Sequence, residues 1–140
     1  TYICDCGDYY PETVNLIDLE ITYSHRSWIG YTGKDNESLV IPAVFKDGET
    51  WYRVVAIGDY CFDSCQQLAS VTIPESVTRI GERAFYYCSA LSSIEIPAGV
   101  TEIGYQVFYR AGLETVVLPE GLTVLGRGMF DSCKQLTAIW

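Results

Sequence analysis

The second half of this 140-residue sequence repeats itself. The motif I-G-x-x-x-F begins at Ile57, Ile80 and Ile103, and L-G-x-x-x-F begins at Leu125. Successive starts lie 23, 23 and 22 residues apart. A fixed period of this length is typical of a solenoid, because one short coil cannot bury its own apolar side chains and must stack on its neighbours. We therefore predict a solenoid with coils of about 23 residues.

Aligning the four units separates the residues into columns of one chemical kind. The aromatic column contains Phe62, Phe85, Phe108 and Phe130. Three columns of small or aliphatic side chains accompany it: Cys61, Ala84, Val107 and Met129; Cys65, Cys88, Ala111 and Cys133; and Leu68, Leu91, Leu113 and Leu136. The third unit is one residue short between Ala111 and Leu113. Because an apolar column that recurs once per coil lines a shared interior, we expect all four columns to be buried.

Each unit is predicted to contain a parallel strand and a short helical turn. The alternation in Ile94-Glu95-Ile96 is typical of a strand with one buried face, and the proline that follows ends it. We expect these strands to stack as one continuous sheet. Residues 82–88 leave room for one or two turns of helix. The glycine after each unit start suits either a positive φ or a close approach of two backbones.

Residues 1–53 depart from the repeat, and we predict that they cap the solenoid within the same single domain. Residues 1–11 are predicted as an edge strand or a loose lead, and residues 14–23 as a strand. A turn at residues 24–27 and a returning strand at residues 28–31 would complete a first hairpin. A cap is expected because an open first coil exposes its apolar columns and an unpaired strand edge.

A first, irregular rung of the sheet is predicted before the regular repeats of residues 54–140. Leu39-Val40-Ile41-Pro42 copies the strand end Val71-Thr72-Ile73-Pro74. Nine residues are inserted after this rung relative to the later units. Asp47-Gly48 lies in the insertion between two apolar pairs, a pattern that predicts a second hairpin with a two-residue turn.

The repeated pattern I-G-x-x-x-F-x-x-C-x-x-L-x-x-I-x-I-P-x-x-V resembles the BspA-type leucine-rich repeat of bacterial surface proteins. The resemblance covers residues 54–140, and residues 28–53 look like the lead-in that such proteins carry before their first full repeat. It implies a right-handed leucine-rich-repeat solenoid, mainly β within the α/β repeat class, and an extracellular or cell-surface location. It also implies adhesion to proteins of a host or a neighbouring cell.

Charge and hydropathy argue against several classes of partner. The net charge is −9 and the pI is about 4.4, whereas nucleic-acid-binding proteins present basic patches. No apolar run has the length of a membrane span, so we expect no membrane insertion. The chain begins without Met and stops at Trp140 inside a predicted strand. We expect it to be a piece or a mature form of a longer protein, in which this edge continues into further coils or pairs with a second copy.

The six cysteines do not show the pattern of a disulfide framework. Four of them fall in core columns: Cys61, Cys65, Cys88 and Cys133. Free cysteine serves there as a small buried side chain. A Cys65–Cys88 bridge is not expected, because side chains stacked on adjacent coils lack the required approach. Cys4 and Cys6 lie two apart outside the repeat, so we expect them on opposite faces of a strand, as free thiols or with a partner elsewhere.

Signals for catalysis and for metal binding are weak. His25 is the single histidine, and nothing in the sequence places a nucleophile beside it in its predicted turn. The core cysteines are separated by whole coils and not by a C-x₂-C spacing, and Cys4-x-Cys6 is at most half of a zinc site. We therefore expect no enzyme activity, no metal and no cofactor.

Two surfaces are candidates for binding. The first is the exposed face of the sheet, formed by the residues that alternate with the core: Leu39, Ser70, Thr72, Ser93, Glu95, Thr115, Val117, Ala138 and Trp140. The second is the opposite, tyrosine-rich side: Tyr60, Tyr86, Tyr87, Tyr105 and Tyr109. Side chains that vary over a constant repeat can specify a partner, and tyrosine is enriched at interfaces. The alternatives are a plain solvated face for the first surface and rings packed between neighbouring turns for the second.

Three functional hypotheses follow from these features. The first is a non-catalytic protein-binding or adhesion module of an exported bacterial surface protein, which binds a host or neighbouring-cell protein through the sheet face. The second is a structural spacer array that presents another domain. The third is a thiol enzyme, which would require a reactive cysteine of low pKa.

Overall fold

Short parallel strands, stacked coil on coil and joined by turns, organise the structure. The computed structural model describes Tyr2–Ile3 and residues 15–140, with side chains described for residues 15–140. These ranges contain the strands β1 (Tyr2–Ile3), β2 (Leu16–Ile21), β3 (Glu37–Val40), β4 (Val44–Asp47), β5 (Thr50–Ile57), β6 (Leu68–Thr72), β7 (Arg79–Ile80), β8 (Ser93–Glu95), β9 (Glu102–Ile103), β10 (Thr115–Val117), β11 (Val124–Leu125) and β12 (Ala138–Ile139). The one helix in this part of the chain is a 3-10 turn, Tyr23–His25.

One ladder joins the starts of the coils. β2 pairs in parallel with β5, β5 with β7, β7 with β9 and β9 with β11. The register aligns five residues in one column: Ile21, Ile57, Ile80, Ile103 and Leu125. The last four are the unit starts of the sequence pattern. Ile21 is an additional member, so residues 21–41 form a coil that the pattern did not indicate.

The ends of the coils are joined by two separate ladders. β3 pairs in parallel with β6 and places Leu39 opposite Val71, which confirms the irregular first rung. β10 pairs in parallel with β8 on one side and with β12 on the other. No ladder joins β6 to β8 in the described residues, and a cavity of about 180 Å³ lined by Ile73 and Glu95 lies there. The expectation of one continuous sheet is wrong at this point.

The segment between the two ladders is an open turn, and the predicted short helical turn is wrong. Its backbone N–H groups alternate between two kinds of acceptor. The N–H of Phe62 donates to the carbonyl oxygen of Ala84 in the next coil (2.8 Å), whereas the N–H of Cys65 donates to Phe62 in its own coil (3.2 Å). The alternation is accompanied by positive φ at Tyr60 (60°) and Ser64 (59°). A helix would use all of these N–H groups within one coil, so the bonds between coils exclude it.

The N-terminal residues contain one of the two predicted hairpins. β4 and β5 are antiparallel around Gly48 and Glu49, one residue later than predicted. The first hairpin is wrong, because residues 28–31 form no strand and β2 pairs in parallel with β5. β2 occupies one edge of β5 along most of its length, so β4 and β7 share the other edge. The hairpin therefore lies on the side of the later coils, and the expectation that it caps the solenoid is not confirmed.

The phenylalanine column forms the centre of the core. The ring centroids of Phe62, Phe85, Phe108 and Phe130 follow one another at 5.4, 5.8 and 5.9 Å, with ring planes inclined by 10°, 13° and 7°. The first three rings are fully buried, and Phe130 is partly buried. Burial thus depends on a coil lying on each side, as it must when neighbours supply the walls of the core.

Candidate binding surfaces

The single histidine has a local structural role. Nδ1 of His25 accepts a hydrogen bond from the Thr22 N–H (2.9 Å), which completes a capping box around the 3-10 helix. The imidazole also packs edge-on against Trp28, with ring centroids 4.8 Å apart. Because Nδ1 already accepts from a backbone N–H, this nitrogen is not placed to act as a general base.

Burial suppresses the nucleophilic chemistry of the described thiols. Cys61, Cys65 and Cys88 are at most 3 % exposed, Cys133 is half-buried, and all four are free. Burial raises the pKa of Cys61 to about 12 and raises the pKa of each of the other three above its ordinary value. The guanidinium of Arg26 donates to Sγ of Cys65 (3.1 Å) and opposes this rise in pKa without reversing it. Since the thiolate is the nucleophile, none of these cysteines has the low pKa of a reactive one.

Within residues 15–140, no three His, Cys, Asp or Glu side chains lie close enough together to hold a metal ion. Cys4 and Cys6, the half-site considered from the sequence, lie outside the described residues. No helix in the described ranges is long and apolar enough to cross a membrane.

The exposed face of the end-of-coil strands, here called the sheet face, consists of two rows. One row contains Ser38, Ser70, Ser93, Thr115 and Ala138, and the other contains Val40, Thr72, Glu95, Val117 and Trp140. Each row is in register within the two ladders and is interrupted between β6 and β8. Nine residues were proposed for this face, and the eight besides Leu39 are exposed or half-exposed. Leu39 is only 3 % exposed, whereas Val40 is 66 % exposed. The assignment of Leu39 was wrong because successive strand residues point to opposite faces, and it was one residue out of phase.

The tyrosine-rich side of the turns, here called the tyrosine surface, is an ordered group of rings: Tyr60, Tyr86, Tyr87, Tyr105 and Tyr109. Tyr86 and Tyr109 are half-buried and stack with centroids 5.1 Å apart and planes inclined by 8°. Tyr60, Tyr87 and Tyr105 remain 38–40 % exposed. Two rings therefore pack between neighbouring turns, and three present large exposed areas.

Two arginines that the sequence analysis did not single out lie among these rings. The guanidinium carbon lies 5.3–5.8 Å from the ring centroid in four pairs: Arg83 with Tyr86 and Tyr105, and Arg110 with Tyr87 and Tyr109. Each such contact at an exposed site is worth about 0.5–1 kcal/mol and restrains both side chains. The two arginines do not stand out when the units are aligned, because they occupy different positions in their coils and arginine recurs at neither position.

The arginines near the coil starts have a different environment. Arg79 binds the carboxylate of Glu20 at 2.9 Å, with Asp59 at 4.0 Å and Glu102 at 3.9 Å. Along residues 15–140, by contrast, no carboxylate lies within salt-bridge distance of the two arginines of the tyrosine surface. The two guanidinium groups of the tyrosine surface are therefore not paired with a carboxylate of the described residues, in a chain whose net charge is −9.

Comparison with known proteins places this geometry in a family. A sequence profile described as "BspA type Leucine rich repeat region (6 copies)" matches residues 54–140. No protein among the curated ones matches the chain.

Solved structures of similar fold include three bacterial proteins. A leucine-rich repeat protein from Bacteroides capillosus has 27 % identity and a TM-score of 0.66, over 74 % of this chain and 75 % of its own. The T. pallidum leucine rich repeat protein TpLRR has 26 % identity and a TM-score of 0.57, over 78 % of this chain and 59 % of its own. A leucine rich cell surface protein from Faecalibacterium prausnitzii has 30 % identity and a TM-score of 0.57, over 76 % of this chain and 36 % of its own. The chain thus spans less than two thirds of the length of the last two proteins.

Proposed function

The chain belongs to the BspA-type leucine-rich repeat family, and from that premise we propose that it is a non-catalytic protein-binding module of an exported bacterial surface protein. The proposal rests chiefly on the tyrosine surface, which is a ready-made contact area. It combines exposed aromatic rings with arginines that hold them in place, and tyrosine and arginine are the residue types enriched at binding hot spots.

Order in the free protein strengthens the case for this surface. Tyr86 and Tyr109 stack on each other, and the phenol of Tyr60 donates to Oε1 of Glu82 (3.3 Å). Arg83 donates through Nε to Oε1 of Gln106 (2.9 Å). Side chains already held in one conformation lose less entropy on binding, which favours affinity.

The sheet face is the second proposed contact surface. It is built mostly from small polar side chains such as Ser93 and Thr115, which bury little area in a complex. Its largest apolar members are Trp140, 76 % exposed, Val40, 66 % exposed, and Val117, 39 % exposed. We rank it below the tyrosine surface because small residues seldom act as hot spots.

Adhesion to protein-bearing surfaces tests the proposal directly. Beads coated with the domain are expected to bind intact cells, bacterial or epithelial, and to lose binding when the cells are treated with protease. The triple variant Tyr60→Asn, Tyr87→Asn and Tyr105→Asn should bind at least about tenfold more weakly, as expected when several hot-spot side chains are removed.

The matched control replaces the sheet face by Ser93→Ala, Glu95→Ala and Thr115→Ala, with equal melting temperature required of both triple variants. Unchanged binding by this control is expected. Loss of binding in the control alone would move the contact surface to the sheet face. Binding that survives protease treatment of the cells would reject a protein partner.

Surface export is the remaining part of the proposal. It is supported by family membership and by the Faecalibacterium prausnitzii relative, which is described as a cell surface protein. The test is the full-length gene product: labelling of intact cells with an antibody against the domain should detect it outside. A full-length protein that lacks both an export signal and an anchor would refute this part.

The alternative function is a spacer that presents another domain. Serial stacking of coils favours it, because each coil contacts only its neighbours and the array can lengthen without changing its ends. Absence of any cell binding by the wild-type domain, together with many more repeats and a distinct terminal domain in the full-length protein, would favour the spacer over the binding module.

A further inference from the structure

A polar cavity of about 300 Å³ lies beside the tyrosine surface and is lined by the second, third and fourth regular coils. We call it the notch. Its polar lining comes from three coils: Tyr87, Ser89, Arg110, Ser132, Lys134 and Gln135. Two of these residues, Tyr87 and Arg110, also belong to the tyrosine surface and its arginines, so the notch opens at the edge of that surface.

The notch exists because the third regular coil is one residue short. Where the coils on either side have two residues, Ser89-Ala90 and Lys134-Gln135, this coil has Gly112 alone. The Gly112 N–H donates to the carbonyl oxygen of Cys88 (3.1 Å), and a Cβ on Gly112 would overlap the carbonyl oxygen of Ser89. The shortened coil therefore lies close against the preceding one and contributes Ala111 and Gly112 to the lining, between residues of the two longer coils.

The charge of the notch is opposite to that of the chain. Arg110 and Lys134 both line it, and neither has a carboxylate within salt-bridge distance in the described part of the protein. Asp131 lies in the same coil as Lys134, but its carboxylate forms no ion pair with Arg110. Its backbone carbonyl oxygen instead accepts a hydrogen bond from the backbone N–H of Arg110 (3.1 Å). Contacts with the rings of Tyr87 and Tyr109, both at 5.8 Å, restrain the guanidinium.

We propose that the notch binds a carboxylate group of the protein partner, from an acidic side chain or a C-terminus. A guanidinium can bind a carboxylate through two parallel hydrogen bonds, and Lys134 adds a second positive charge. Hydroxyl and amide groups of Ser89, Ser132 and Gln135 supply further donors. The inference rests on the proposed function only for the source of the carboxylate, because the affinity of the notch for the group itself does not depend on the tyrosine surface.

A titration followed by NMR tests the proposal without the natural partner. The probes are acetyl-Gly-Glu-Gly-Glu-Gly-amide, the same peptide with Gln in place of Glu, and sodium sulfate. We expect the Glu peptide to shift the amide signals of Gly112, Ser132 and Lys134, and the Gln peptide to bind about tenfold more weakly because it lacks the charge that strengthens these hydrogen bonds. Raising the salt concentration should weaken binding of the Glu peptide.

Variants assign the effect to the notch. Arg110→Gln and Lys134→Gln together should reduce the affinity for the Glu peptide at least about tenfold, as loss of charge-assisted bonds predicts. The matched control is Arg127→Gln. Arg127 is an exposed arginine in the same coil as Lys134, but it does not line the cavity, so this variant should leave the affinity within about twofold.

The outcomes separate this proposal from the proposed function. Equal binding of the Glu and Gln peptides, or full binding by the double variant, overturns the carboxylate site, as does binding of sulfate without binding of the Glu peptide. If the carboxylate site fails while the tyrosine variants still lose cell binding, the proposed function stands. If the peptide binds and the tyrosine variants retain cell binding, the notch stands and the tyrosine surface is not the contact area.

Discussion

The first coil, residues 21–41, shares its register with the regular coils, yet its interior contacts are different. In the regular coils, parallel phenylalanine rings stack, as Phe62 does on Phe85 at 5.4 Å. The first coil contributes no ring to this stack. Tyr31 lies 6.0 Å from Phe62 with its plane inclined by 60°. The strand pairing therefore persists where the side-chain stack ends.

The turn of the first coil is held by a carboxylate in place of backbone hydrogen bonds to another coil. Glu37 accepts hydrogen bonds from the N–H groups of Thr32 (2.8 Å), Gly33 (2.7 Å) and Lys34 (3.2 Å). Burial acts to raise the pKa of Glu37, but these N–H donors outweigh it and hold the pKa below its ordinary value. A local polar network thus replaces the ladder that stacked turns make elsewhere.

The residue after the coil start shows why the two kinds of coil differ. Thr22 follows Ile21, whereas glycine follows the start of every regular coil. A Cβ on Gly104 would lie 2.7 Å from the backbone N of Glu82 in the preceding coil. Thr22 has no earlier coil against it in the described residues. Glycine is therefore required by close backbone approach where one coil stacks on another, and not by a positive φ.

The largest expected effect is the loss of a stacked ring from an inner coil. Phe85→Ala should cost about 3–5 kcal/mol, because the ring is fully buried between two others. Tyr31→Ala in the first coil should cost less, about 1–2 kcal/mol, because Tyr31 is half-buried and outside the stack. Chemical denaturation measures both. A loss below about 1 kcal/mol for Phe85→Ala would show that the phenylalanine column is not the core.

The glycine comparison predicts the next effect. Gly104→Ala should destabilise by about 1–3 kcal/mol, because a methyl group would force two coils apart. Gly121→Ala is the matched control, since the nearest atom to its Cβ position is the Ala98 carbonyl oxygen at 3.9 Å. The melting temperatures of the two variants, compared with that of the wild type, measure the difference. Equal melting temperatures would mean that the coils adjust to the added carbon without cost.

Glu37→Gln tests the carboxylate that holds the first turn. The pKa of Glu37 is lower in the folded than in the unfolded chain, so its stabilisation is present above the unfolded value and is lost as the pH falls through the folded value. The variant should therefore be less stable than the wild type by about 1 kcal/mol at pH 7, and this difference should shrink as the pH falls below the ordinary titration range of glutamate. Denaturation at pH 7 and through the acid range measures it. A difference that does not change with pH would contradict the assigned role.

The smallest effect is expected on the sheet face. Glu95→Ala should change the free energy of unfolding by no more than about 0.5 kcal/mol, because the side chain is exposed and makes no ion pair within the described residues. Denaturation beside the wild type measures it. A larger loss would indicate that this face contributes to the fold and is not free for binding.

Much of the regular part of the fold could be predicted from the sequence, but less of the first coil. Ile21 was missed because 36 residues separate it from Ile57, against 23 between Ile57 and Ile80. The longer turn and the inserted hairpin hide the period. Residues 28–31 were assigned to a returning strand because they follow a predicted turn. The actual partner of β2 is β5, and the paired residues are 35 or 36 positions apart.

The candidate surfaces divide in the same way. In four of the five strands, β6, β8, β10 and β12, the exposed residues alternate as predicted, and only the phase at Leu39 in β3 was wrong. The tyrosines were found from composition. Their arrangement was not, because the contact between Tyr87 and Arg110 joins equivalent positions of adjacent coils at which the residue type does not recur.

By itself, the sequence determined the interior: side chains of one kind recur with each coil, and a dry column follows because every coil needs its neighbours to cover it. Only the tertiary structure decided that Ile21 begins a coil, that Arg83 and Arg110 lie among the tyrosines, and that a notch lined by Gly112 opens beside Arg110. Those features depend on contacts made by residues whose type does not recur with the period, and contacts between coils exist only once the coils are stacked.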